Sequence, residues 1–190
     1  MTELEQHIKS YFGVAETNDL NTIVSFFKST TIKKGDFLLK SGNRCSGLTF
    51  VHAGLLRMFA NTGTKEVTQW ISTQGYFTAD LSSFIFETPS RFSIQALADA
   101  EASTISRDDY KRLGVLLPKW HEFEKLFLTR YFIMMEQRVF THLSMTAEER
   151  YDSFFEQNKD LFNQVPLNYI ASMLGMTPET FSRIRKKRSL

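Results

Sequence analysis

The stretch Ile170-Ala171-Ser172-Met173-Leu174-Gly175-Met176-Thr177-Pro178-Glu179-Thr180-Phe181-Ser182-Arg183-Ile184-Arg185 decides how the rest of the chain is read. With the residue three places upstream included, Leu167, Ile170, Ala171 and Leu174 follow an i, i+3, i+4, i+7 spacing. That spacing gives one helix a single apolar stripe. Gly175 stands where a left-handed residue ends a helix without a Cβ penalty. Thr177 is a capping residue and Pro178 suits a first helical position, so a second helix starts there. Only Gly175–Thr177 separates the two, which forces a sharp crossing with Ala171 at the close approach. The pattern predicts a helix-turn-helix from Leu167 to about Arg188.

The second helix divides its faces. At 100° per residue with Glu179 at zero, Arg183 falls at about +40°, Lys186 at about −20° and Ser182 at about −60°. Phe181 and Ile184 fall on the opposite side, at about 200° and 140°. An arginine can bridge guanine O6 and N7, a glutamate can accept from cytosine N4, and a serine can bond to base or phosphate. Glu179, Ser182 and Arg183 are therefore the expected base-reading residues. Thr177, Thr180, Arg185, Lys186, Lys187 and Arg188 are the expected contacts to the DNA backbone. The formal net charge of +2 does not announce a polyanion partner. Five of the 23 lysines and arginines, however, crowd between Arg183 and Arg188.

The 190 residues, 42% hydrophobic with 18 Phe, supply core for one large domain or a medium and a small one. Residues 1 to about 30 have helical apolar spacing (Leu4, Ile8, Phe12, then Leu20, Ile23, Phe27), broken at Gly13, with Asn18 or Asp19 as a cap. Short β-rich runs follow: Thr30–Ile32, Phe37–Leu39, Leu48–Val51, Leu55–Phe59, Glu66–Ile71, Phe92–Ala96 and Ala102–Ile105. Glycines punctuate these runs at intervals expected of an antiparallel barrel or sandwich. Asn61-Thr62-Gly63 reads as a hairpin tip. Pro118 opens a long helix to Leu143, some 26 residues or about 39 Å. Thr146 with Glu149 is a capping box for the next helix.

Apolar residues cover more than one face of the long helix. Trp120, Phe123, Phe127, Tyr131 and Met134 form one stripe, and Leu128, Phe132, Met135, Val139 and Leu143 another. A helix packed on its own domain needs one such face. A partner surface is implied, and the long helix is read as a dimer helix through Trp120, Phe123, Phe127, Tyr131 and Met134. Two copies would place two reading helices in successive major grooves of a near-palindromic site, about 34 Å apart.

The helix pair resembles that of the Crp/Fnr superfamily of bacterial regulators. Glu179, Ser182 and Arg183 match the Glu-x-x-Ser-Arg pattern of its Fnr-like branch. Lys33-Lys34-Gly35-Asp36-Phe37-Leu38-Leu39 and Val51-His52-Ala53-Gly54-Leu55-Leu56-Arg57 are similar to the opening strands of its cyclic-nucleotide-binding-type β-roll. The resemblance implies an α+β chain. Residues 1–117 would be an antiparallel jelly-roll-type sensor with flanking helices, 118–143 the dimerisation helix and 144–190 an all-α helix-turn-helix domain. With only Leu161–Val165 before Pro166, that domain has no room for a β wing.

In nucleotide-binding members of the superfamily a Gly-Glu pair and an Arg about ten residues later hold the phosphate. Here Ala79-Asp80 stands in place of Gly-Glu, Ser90 in place of the Arg, and Arg91 comes one residue late. A one-residue offset on a strand turns a side chain to the other face. Asp80, Ser90 and Arg91 are the candidate effector pocket, but the cassette is degenerate and a cyclic nucleotide is not the expected ligand. The lone Cys45 excludes a cysteine-ligated iron–sulfur cluster, and the four scattered histidines offer no haem or metal site. No catalytic set, phosphate loop or multi-histidine barrel marks an enzyme. The N-terminus lacks a signal-peptide pattern and no window is apolar enough for a membrane span, which predicts a cytoplasmic protein. Expected partners are double-stranded DNA, a second copy of the chain, an unidentified small-molecule effector and RNA polymerase. The rival reading is a sensor or scaffold module that works through protein partners without touching DNA.

Overall fold

The computed structural model describes residues 1–188, which fall into two compact units. Met1–Met58 with Ile71–Phe132 form the first, and Phe59–Trp70 with the chain from Ile133 form the second.

In the first unit, α1 (Glu3–Phe12) starts with a Thr2–Glu5 capping box and ends at Gly13 in the left-handed region. α2 (Thr17–Ser25) begins after Glu16, so neither Asn18 nor Asp19 is its cap. Both lie inside the first turn, where Asp19 complements the helix dipole. The helix starts two residues before an Asn18 cap would start it, after the extended Glu16, whose carboxylate lies 2.6 Å from the Lys119 ammonium.

The strands are β1 (Lys28–Ile32), β2 (Phe37–Leu39), β3 (Gly47–Ala53), β4 (Leu56–Asn61), β5 (Glu66–Ser72), β6 (Phe77–Thr78), β7 (Ser93–Ala96) and β8 (Ala100–Ser106). They form two four-stranded sheets, ordered β1-β8-β3-β6 and β2-β7-β4-β5. β8 is paired antiparallel on both sides, with Thr104 opposite Lys28 of β1 and Thr49 of β3. The seven expected β runs are present. β6 and the six-residue α3 (Leu81–Phe86) are additions, too short to leave a readable period. Gly54 turns the chain between β3 and β4 at φ 91°, and a Cβ there would stand 2.3 Å from the Asp99 carbonyl oxygen. No other residue fits.

An aromatic core closes the unit. Phe12 stacks on Phe127 at 4.5 Å between ring centres, and Phe77 meets Phe127 edge-on. Trp120 bridges Phe12 to Tyr110 of α4 (Arg107–Leu116). Here the reading of α5 (Trp120–Ser144) needs correction. Trp120, Phe123 and Phe127, assigned above to the partner face, are buried within their own unit, and Tyr131 and Met134 are half-buried. The α1 aromatics and β6 claim that stripe first. The open face is the other one: Phe132, Val139 and Leu143 are 65%, 55% and 81% exposed.

The second unit contains the β4–β5 hairpin tip and the last helices. α6 (Ala147–Gln157) starts with the expected Thr146–Glu149 capping box. A four-residue helix, α7 (Leu161–Gln164), occupies the segment read as a plain connection. α8 (Leu167–Met173) and α9 (Pro178–Arg188) complete it, and no strand follows β8 among the described residues. Tyr151 and Phe162 pack against Phe181 at 5.1 and 5.9 Å, docking the apolar side of α9.

Candidate nucleic-acid interface

The turn between α8 and α9 is built as the spacing predicts. Ala171 is fully buried, and its carbonyl accepts from the Met176 amide at 2.9 Å. Gly175 adopts φ 69°, with a His142 ring atom 3.3 Å from where a Cβ would stand. The Thr177 hydroxyl accepts from the Thr180 amide at 3.2 Å, capping α9.

Two arginines that the sequence reading missed hold this turn from behind. The guanidinium of Arg150, on α6, donates to the Leu174 carbonyl at 3.0 Å and to Met145 at 2.6 Å. Arg138, on α5, donates to the Met173 carbonyl at 3.1 Å and also to the Gln69 carbonyl. Its guanidinium lies 5.3 Å from the Trp70 ring centre. The Met173 and Leu174 carbonyls are at the negative end of α8, where cationic donors are most favourable. The Thr68 amide adds a bond to the Ser172 hydroxyl at 3.0 Å. A signal for Arg138 was present: it stands four residues beyond Met134, the next place in the inward stripe of α5.

On α9 the expected base-reading residues share one exposed face. Glu179, Ser182, Arg183 and Lys186 all point away from the docked Phe181 and Ile184. Bonds from its own amide and the Thr177 hydroxyl hold the Glu179 carboxyl below the usual range, so it is an acceptor at neutral pH. Thr177 and Thr180 lie at the α9 N-terminus, where free amides favour an anion.

The rest of the expected backbone set is placed differently. Arg185 lines a groove of about 570 Å³ with Tyr151, Asp152 and Phe155. The Lys187 ammonium donates to both carboxylate oxygens of Glu148 at 3.1 Å. Arg188 binds the Asp152 carboxylate with two donors, one at 2.9 Å, and reaches Glu148 at 3.6 Å. The spacing contained the reason: Phe181, Ile184 and Arg188 stand at i, i+3 and i+7, so Arg188 must share the docking side.

In the first unit, Asp80 and Ser90 come together. Asp80 caps α3 through the Ser83 amide, and its other carboxylate oxygen accepts from the Ser90 hydroxyl at 2.6 Å. Both side chains are buried. Arg91 does not join them; it is exposed, its guanidinium 4.6 Å from the Phe92 ring centre. Cys45 is buried beside this network, its amide bonded to Ser83, and burial pushes its thiol pKa up.

A β-roll, a long helix and a terminal helix pair define a recognisable class of architecture. Residues 29–114 match the family model of the cyclic nucleotide-binding domain. The chain is similar to the catabolite activator protein of Thermus thermophilus, with 21% identity and a TM-score of 0.58 over 94% of this chain and 86% of that one. FixK2 of Bradyrhizobium japonicum aligns with a TM-score of 0.69 and 16% identity over 85% and 83%. The c-di-GMP-responsive regulator CLP of Xanthomonas campestris aligns at 0.65 and 13% over 92% of both chains. No curated protein sequence matches the chain.

The fold therefore implies a cyclic nucleotide, but the residues do not fit one. A phosphate at the cassette would meet the carboxylate of Asp80, already bonded to Ser90, while Arg91 is turned outward. Among the described residues no His, Cys, Asp and Glu group could hold a metal ion, and no helix is long and apolar enough to cross a membrane.

Proposed function

We propose that this chain is a transcription regulator of the Crp/Fnr type that reads DNA through α9. The observation that carries the reading is the single exposed face of Glu179, Ser182, Arg183 and Lys186, held on a turn whose carbonyls are bound by Arg138 and Arg150. Such a face enters the major groove, with Thr177 and Thr180 at the helix start, and Lys186 on the face itself, placed for phosphates. Lys187 and Arg188 join them only if they release their carboxylates.

The protein works as a homodimer through the open face of α5, Leu128, Phe132, Val139 and Leu143, which would otherwise leave large apolar side chains in water. Its β-roll answers to an effector other than a cyclic nucleotide, and RNA polymerase is the protein such a regulator would address beside a promoter.

The test is selection of genomic fragments by the purified chain, followed by titration of the selected site against salt. A near-palindromic site bound with steep salt dependence supports the reading. Failure to retain any fragment, with the fold intact, would favour a module that acts through protein partners.

A further inference from the structure

We infer that Glu148 and Asp152 of α6 are specificity determinants, silencing two sequence-blind cations of α9, Lys187 and Arg188, while leaving its reading face charged. The inference rests on the DNA-binding reading above. α9 ends in four consecutive basic residues, each a potential phosphate contact that carries no sequence information. Cations of this kind raise affinity for every duplex alike and so dilute discrimination.

The structure treats the cations of α9 unequally. Lys187 and Arg188 are closed onto the α6 carboxylates by contacts of 3.1, 3.6 and 2.9 Å. The Arg188–Asp152 pair is bidentate, the geometry that best matches a guanidinium to a carboxylate. Proximity to Asp152 accordingly raises the pKa of Arg188. Arg183 and Lys186, by contrast, form no ion pair among the described residues. Glu148 and Asp152 lie four residues apart on one face of α6, Glu148 meeting both tail residues and Asp152 meeting Arg188.

A phosphate about 8 Å away, the screening length at physiological salt, meets a neutral pair rather than a cation. Should a phosphate pull Lys187 or Arg188 free, it must approach the carboxylate left behind. Either way Lys187 and Arg188 contribute little to indiscriminate binding, while Arg183 and Lys186 keep their charge on the face where base edges are read.

The experiment compares the wild-type chain, Glu148→Gln/Asp152→Asn and Lys187→Gln/Arg188→Gln on the selected site and on a random duplex, from low to moderate salt. Each phosphate-bound cation steepens the slope of log K against log salt by about 0.9. Releasing both tail residues should steepen the random-duplex slope of the first variant by up to about two and reduce its ratio of specific to random affinity. The lysine–arginine variant should keep the wild-type slope on random duplex. It preserves a test should the acidic variant misfold, which circular dichroism would reveal. A slope shallower by about two in the lysine–arginine variant would show the tail already on phosphate and overturn the inference, as would an unchanged slope in a folded acidic variant. A wild-type chain that ignores duplex DNA overturns both this inference and the reading beneath it.

Discussion

Arg183 stands on the open side of α9 with Glu179 and Ser182, and the sequence alone placed it there. Its replacement by alanine should cost roughly 1–3 kcal/mol on the selected site and relax base preference at one position. Titration against single-base variants of the site measures this; equal losses on specific and random DNA would remove Arg183 from the readers. Gly54 was legible only as punctuation. Its real constraint, a carbonyl 2.3 Å from any Cβ together with a positive φ, comes from Asp99, forty-five residues later. Gly54→Ala should therefore destabilise the chain by more than about 1 kcal/mol in denaturant titration. Cys45 illustrates environment overriding type. Burial raises its pKa, leaving less thiolate at neutral pH than a free cysteine has, so a disulfide reagent should label it only after unfolding. Prompt labelling of the native chain would contradict that burial.

At the scale of elements, the C-terminus of α8 is held by groups from other helices. Arg138→Ala or Arg150→Ala would each leave a partly buried carbonyl without its charged donor, costing roughly 1–3 kcal/mol. Denaturant titration beside DNA titration would show whether reading affinity falls with stability. Periodicity made the helices legible, and capping chemistry made their starts legible at Thr146 and Thr177. Tertiary pairing was not legible. A stripe such as Trp120, Phe123, Phe127 announces that it will be buried, but not whether its own unit or another chain will do so. The answer lay in Phe12 and Phe77, more than forty residues away from it in sequence. Likewise a basic run announces charge, but only folding brings Glu148 and Asp152 beside it.

For the whole molecule, the open face of α5 makes a prediction about assembly. Phe132→Glu with Leu143→Glu should turn a dimer into a monomer by sedimentation velocity, with little effect on the fold, since both residues are already exposed. A wild-type chain that sediments as a monomer would remove the dimer from the proposal. The bonded pair Asp80–Ser90 predicts that neither cyclic AMP nor cyclic GMP raises the melting temperature, whereas a ligand that binds the folded chain must raise it. The bond from the Thr68 amide to the Ser172 hydroxyl joins residues 104 positions apart in the chain. Protection of that one proton from exchange with solvent deuterium cannot outlast the closure of the hairpin against α8 unless another acceptor replaces the hydroxyl. Comparing its exchange rate in the wild type and in Ser172→Ala turns a single amide into a clock for how often the hairpin lets go of α8.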